Sequence, residues 1–390
     1  MFKEMVIAAS FMVCSANLFP NISGENSIAD SNKIVEFAQI CSEGIYSAVE
    51  CMQEARNSTE FDSSVSENDI NSCAETESKT NVFLTSANNK PVILDVDMST
   101  DVDDVCAIRM ATSMDDAGVI DLKGVMFSVT GENNVQALRG LLVHDGKQDV
   151  LIGTCSIQEP DVSPYWNTLA EYNDDGGDID TAVRQYRKIL QNSDELVDIV
   201  VTGYATNLEY LLESKADDVS PLDGKTLVKE KVGQLYVVGG SYPDGFSNNF
   251  HYSAAAREAI DFINYNWGKP IIFSPGQTGG KLVCGKALQE IDSDRKDIVT
   301  KALYDFGTEN GRTAWDPFGV WLCAYGCSEI NQVTLERCNL STYPESDTSS
   351  FIPNENGNHY VVHLCNPDYN YYNVTMDEWL TNKYKSIYEP

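Results

Sequence analysis

The sequence predicts an α/β domain whose mostly parallel central sheet is covered by helices on both faces, a Rossmann-like arrangement. Three observations predict it. Short, continuous apolar runs recur at residues 92–94, 124–129, 149–153, 198–203, 234–240 and 269–273, most closing in Gly, Ser or Thr. Helix-like stretches separate them, the first over residues 105–114. The chain is also long enough, at 390 residues with 42% hydrophobic content, to bury a large core. Uninterrupted apolar strands alternating with helices are buried on both faces, which is the signature of parallel sheets. In such sheets ligands bind beyond the carboxyl ends of the strands, so functional residues are expected just after the runs.

The elements before the first run read differently. Met1-Phe2-Lys3, the apolar run from Met5 to Cys14 and the small Ser15-Ala16 match a signal peptide over residues 1–16, and the run is shorter than the roughly 20 residues that span a bilayer. Residues 17–88 are rich in Ser, Asn, Glu and Asp; only 34–56, with Ile34, Phe37, Ile40, Ile45 and Val49, has helical spacing. That segment is expected to be partly helical and otherwise flexible. The main domain then occupies residues 89–390, with no internal repeat. Export is the expected destination. Four sequons, at Asn21, Asn57, Asn339 and Asn373, are then glycosylation acceptors. Eleven cysteines, Cys14 falling in the leader, leave an even number for a disulfide-permissive compartment. Cys323, Cys327, Cys338 and Cys365 cluster near the C-terminus as candidates for local bridges, whereas Cys106 lies on an apolar helix face as a buried free thiol. Cys323 and Cys327 lack the second pair or the histidines that a zinc site needs.

A net charge of −32 repels nucleic-acid phosphates and anionic membranes, so the expected partner is a neutral or cationic small molecule, and a homo-oligomer is compatible.

The chemistry concentrates after the first run. Asp95, Asp97, Asp101, Asp103 and Asp104 fall within ten residues where a strand gives way to a helix. Five carboxylates so close require a cation, and an all-oxygen ligand set selects a hard ion such as calcium. Capping of the helix by Asp101 or Asp103 accounts for one or two of them, not five. An EF-hand fails because a strand precedes the segment and Thr100 occupies the sixth position, where glycine belongs. A phosphohydrolase of the haloacid dehalogenase type, with Asp95 as nucleophile and Asp97 as acid/base, fits Leu94 to Thr100 but leaves Asp101, Asp103 and Asp104 without a role.

The pattern Asp-x-Asp-x-x-x-Asp-x-Asp-Asp after a strand resembles the N-terminal signature of the inosine–uridine-preferring nucleoside hydrolase family. Later segments resemble the family's turns in the right order: Gly203-Tyr204-Ala205-Thr206-Asn207-Leu208, Val238-Gly239-Gly240 and Trp315-Asp316-Pro317-Phe318. The resemblance implies the nucleoside hydrolase fold from about Lys90 onward and hydrolysis of ribonucleosides to ribose and free base, as in nucleoside salvage. It implies that Asp97, Asp104 and Asp316, with the main-chain carbonyl of Thr206, hold Ca2+, and that Asp97 is the base activating a calcium-bound water. Asp103, Asn249 and Asn133 (or its neighbour Asn134) are implied to contact the ribose. Two departures stand out. Ser247 replaces a family glutamate, and Trp315 replaces the histidine that protonates the leaving base; stacking by Trp315, Tyr242, Phe246 or Tyr252, or proton donation by His251 or His359, are substitutes to consider. The departures also admit a non-catalytic protein that keeps the calcium site and binds a ribosylated ligand.

Overall fold

In the computed structural model the residues described are 89–99, 101–158, 162–343 and 345–389. The chain divides into two units, Met1–Leu84 and Thr85–Pro390. The segment read as a signal peptide, the acidic segment, Cys14, Cys41, Cys51, Cys73 and the sequons at Asn21 and Asn57 lie outside the described residues, as does Thr100.

Each apolar run becomes a strand. The order is β1 (Lys90–Val96), α1 (Asp103–Asp116), β2 (Ile120–Phe127), α2 (Asn134–His144), β3 (Leu151–Thr154), α3 (Pro164–Ala170), β4 (Ile179–Thr181), α4 (Ala182–Asn192), β5 (Val197–Val201), α5 (Thr206–Glu213), α6 (Gly224–Lys231) and β6 (Val232–Val238). It continues with β7 (Asp244–Gly245), α7 (Asn248–His251), α8 (Ala254–Asn266), β8 (Ile271–Ser274), α9 (Gly276–Gly279), β9 (Val283–Cys284), α10 (Lys286–Ile291) and α11 (Ile298–Phe306). The last elements are β10 (Arg312–Thr313), α12 (Trp315–Tyr325), β11 (Val333–Tyr343), β12 (Thr348–Pro353), β13 (His359–Leu364) and α13 (Asn370–Tyr388).

Eleven strands form one sheet in the order β4-β3-β2-β1-β5-β6-β8-β13-β11-β12-β7. From β4 through β13 every pairing is parallel; β11, β12 and β7 add an antiparallel edge. The mostly parallel sheet is as expected. The antiparallel edge was not foreseen, because β11 is long, polar on alternate residues and half exposed, without a continuous apolar run. The chain builds outward from β1 through β4, then returns to pair β5 on the other side of β1. That reversal opens a crevice beyond the carboxyl ends of β1 and β5.

One buried ionic node fixes α1. Arg109, fully buried, donates from Nε to Asp145 at 2.9 Å and from Nη1 to Asp297, the N-cap of α11, at 2.9 Å. Every carboxylate around it finds donors: Asp145 also accepts from Thr112 at 2.6 Å, and Asp297 accepts from the Val299 amide at 2.8 Å.

The cysteines correct one expectation. Cys323, Cys327, Cys338 and Cys365 are free thiols, as are the other described cysteines. Cys323 sits in α12, Cys327 just beyond it and Cys338 in β11, all packed as small apolar groups, while Cys365 follows β13 and is exposed. Cys106 is buried and free, as read from its helix face. Of the two described sequons, Asn339 accepts from the Asn358 amide in an exposed contact and Asn373 from the Val283 amide in a partly buried one. No described helix is long and apolar enough to cross a membrane.

Candidate functional site

The site forms where β1 ends. The chain turns between Val96 and α1, whose first residues are Asp103 and Asp104. The turn is tight enough that Met98 adopts φ 39°, a left-handed conformation that a bulky side chain adopts only under outside constraint. Gly203, beyond β5, lies against it. A Cβ there would stand 2.2 Å from Ser128 Oγ and 2.7 Å from the Asp97 amide, so the two strand ends approach this closely only with glycine.

Three carboxylates converge in the crevice. Asp103, Asp104 and Asp316 each place an oxygen within 4.8 Å of the others, and all are buried. Asp316 arrives from the first turn of α12, and its amide donates to Asp103 at 3.2 Å. Asp104 accepts from the Thr202 hydroxyl at 3.3 Å on one oxygen. Its other oxygen is buried with no hydrogen-bond partner, and the carboxylates of Asp97 and Asp316 lie close to the Asp104 group. Burial first, and then repulsion from neighbouring carboxylates, pushes Asp103, Asp104 and Asp316 well above the ordinary carboxylate range; Asp101 contributes most of the repulsion at Asp103, and the half-buried Asp97 contributes to that felt by each. Helical capping does not explain the cluster, because no side chain caps α1. Such a donor set, all oxygen and missing a positive partner, fits a hard divalent cation.

Two of the five aspartates in the turn stand apart. Asp101 is bound by Arg312, whose Nε donates to it at 2.8 Å, and it also accepts from the Val102 amide. Asp95 is fully buried behind the turn, where it accepts from the Tyr186 hydroxyl at 2.7 Å and from Asn207 at 3.1 Å; burial pushes it up to about 8. A carboxyl so enclosed cannot be the exposed nucleophile of the phosphohydrolase reading, which the structure therefore does not favour.

The remaining expected residues surround the cluster at different depths. Thr206 opens α5, buried, with its hydroxyl 3.5 Å from the Ser128 carbonyl. Asn249 donates to the carbonyls of Thr202 (2.5 Å) and Val238 (2.9 Å), bridging the carboxyl ends of β5 and β6. Asn133 precedes α2 and donates to Asn167 on α3 in an exposed contact. Its neighbour Asn134 is fully buried and holds the loop after β2 through the Gly131 amide and the Val129 carbonyl. Ser247 accepts from the Gly240 amide.

Trp315 is half-buried. Its indole N–H donates to the Gly276 carbonyl at 2.9 Å, and the Arg312 guanidinium lies 5.4 Å from its ring. His251 contacts the Ser247 backbone, and His359 accepts from the Ile271 amide; both are buried and held by main chain. Tyr242 is bound to Glu336, and Tyr252 stacks on Tyr204 at 6.3 Å.

Sequence reasoning missed three groups that bind the turn: Tyr165 and Trp166 on α3, and Arg312 before α12. Pro164-Tyr165-Trp166 signalled a helix start, but nothing in the sequence pointed it at residues 98–101, more than sixty positions earlier.

No family model and no curated protein matches the sequence. Solved structures do. An inosine–uridine preferring nucleoside hydrolase from Bacillus anthracis superposes with a TM-score of 0.55 at 15% identity, covering 76% of this chain and 99% of that one. A purine-preferring ribonucleoside hydrolase from Gardnerella vaginalis gives 0.53 at 16%, with coverage of 76% and 99%. The type III effector XopQ, solved in complex with adenosine diphosphate ribose, gives 0.56 at 14%, with coverage of 80% and 99%. The domain thus has the fold of the nucleoside hydrolases, over essentially the full length of those structures.

Proposed function

We propose that this protein is a calcium-dependent nucleoside N-ribohydrolase acting after export from the cell. The observation that carries the reading is the buried Asp103–Asp104–Asp316 cluster, with an Asp104 oxygen lacking any donor, at the crevice where the sheet reverses. The shared fold supports it.

Asp97, Asp104 and Asp316 would hold the cation, with the Thr206 carbonyl as a further ligand. When bound, calcium supplies the positive charge that lets these carboxylates ionise together and makes a neighbouring water more acidic. Asp97, half-buried at the mouth of the turn, takes the proton from the attacking water. Asp103 and Asn249 face the sugar. As the bond to the base breaks, positive charge grows on the ribose, and the surrounding carboxylates stabilise it without having to reorganise.

Trp315 alters the exit of the base. Its one N–H is bonded to Gly276, and the indole does not titrate, so it cannot act as the acid for the departing base. Turnover should therefore depend strongly on leaving-group quality, with a p-nitrophenyl riboside cleaved much faster than inosine. The same fixed tryptophan supports the second reading, a protein that binds a ribosylated ligand without cleaving it.

The test is to incubate purified protein with inosine, uridine, adenosine and guanosine, with calcium or a chelator, and to measure reducing sugar and free base. Calcium-dependent release lost in Asp97→Ala supports hydrolysis. Calcium binding without release from any nucleoside or from the nitrophenyl riboside supports the second reading.

A further inference from the structure

The turn that gathers the carboxylates is gripped from outside by helix α3. Trp166 donates its indole N–H to the Met98 carbonyl at 2.9 Å. The Tyr165 hydroxyl lies 3.0 Å from the Ser99 carbonyl and 2.5 Å from that of Asp101, so one proton serves two acceptors. Three carbonyls of the turn, those of Met98, Ser99 and Asp101, are thereby tied to two adjacent, fully buried aromatic side chains. The grip has its own bed. A Cβ on Gly131 would stand 2.5 Å from the Trp166 ring, so the loop after β2 closes against the indole only with glycine there.

The need for such a grip follows from charge. Asp97, Asp103 and Asp104 flank the turn and repel one another, and Met98 holds a left-handed conformation. Left to itself, a turn in that state relaxes by opening, and the later cost of closing it would be subtracted from cation affinity. Burial, together with the negative charge of Asp104 and Asp97, keeps the Tyr165 phenol protonated and therefore a donor.

We propose that Tyr165 and Trp166 are positioning residues that hold the turn between β1 and α1 in its cation-binding form before the cation arrives. The inference rests on the cation reading of the cluster, not on the hydrolase reading.

Calcium alone, titrated calorimetrically into metal-stripped full-length protein, tests it. Tyr165→Phe removes only the hydroxyl, and Trp166→Phe removes the N–H and part of the ring. Trp267→Phe is the control: this buried indole closes α8 just before the amino end of β8, away from the carboxyl ends of the strands where the turn lies. Each α3 variant should raise the calcium Kd about 10- to 100-fold, the range for groups that orient ligands without touching the ion. The control should leave it unchanged, with near-ultraviolet circular dichroism showing all variants folded.

Wild-type affinity in both α3 variants, or an equal loss in Trp267→Phe, overturns the proposal. Absence of calcium binding by the wild type overturns it together with the cation reading. Clamp-dependent calcium binding in a protein that releases no ribose upholds the proposal and removes only the hydrolase reading.

Discussion

Helix α1 carries two clusters of buried charge, about a turn and a half apart, and the chain treats them in opposite ways. At Arg109 the cation is built in: burial alone would raise Asp145, but Arg109 holds it below the usual carboxylate range, and donors surround both carboxylates. At the helix N-terminus the carboxylates of Asp103, Asp104 and Asp316 have no such partner and are driven upward. Arg312 lies near enough to favour ionisation of Asp103, but its hydrogen bonds go to Asp101. The first cluster is a brace completed by the chain's own arginine; the second is the cation site proposed above.

The largest expected effect breaks the brace. Arg109→Leu strands two buried carboxylates and should cost about 3–5 kcal/mol in urea unfolding, with no compensation from calcium. At the acidic end the same type of change acts on turnover: Asp97→Asn should lower kcat/KM for nucleoside hydrolysis by at least about 100-fold while the fold persists, as measured by base release and circular dichroism. Asp104→Asn should reverse the usual sign of a buried substitution. It relieves repulsion at an oxygen that has no donor, so the metal-free protein should gain on the order of 1 kcal/mol, whereas the rise in Tm on adding calcium should disappear.

The pH dependence of the metal-free protein sharpens the contrast. Asp95 and the three clustered carboxyls are raised on folding, so the native state binds more protons than the unfolded chain above the ordinary carboxylate pKa of about 4. Their stabilisation is complete below that value and is lost as pH rises, with Asp95 extending the window to about 8. With a chelator present, Tm should be lower at pH 8 than at pH 5; with saturating calcium the fall should flatten or reverse. The smallest effect belongs to Arg312→Gln. This half-exposed pair with Asp101 should contribute no more than about 1 kcal/mol to denaturant stability.

The two regions also differ in how legible they were. The acidic turn announced itself because five aspartates crowd into ten residues after an apolar run, and parallel-sheet logic placed that run beside the crevice. Asp316 was reachable only through the resemblance of Trp315-Asp316-Pro317-Phe318, since nothing local marks an aspartate at a helix start as a partner of Asp103, more than two hundred residues earlier. The brace was invisible. Arg109, Asp145 and Asp297 are common residue types far apart in sequence, joined only by folding. Tyr165 and Trp166 were hidden for another reason: their partners are backbone carbonyls, which carry no sequence identity. The antiparallel edge escaped because its strands are half exposed and alternate, whereas the signal followed was continuous hydrophobicity.

The central claim is that the acidic cluster is a cation site left incomplete by the chain, and proton release on metal binding tests it most directly. Carboxyls raised by burial and repulsion must give up protons when a cation replaces them. Titration of metal-stripped wild type with calcium near pH 6.5, in two buffers of different ionisation enthalpy, should show saturable binding with net proton release, and Asp104→Asn should abolish both. Absence of binding, or calcium uptake that releases no protons and survives Asp104→Asn, would contradict the account.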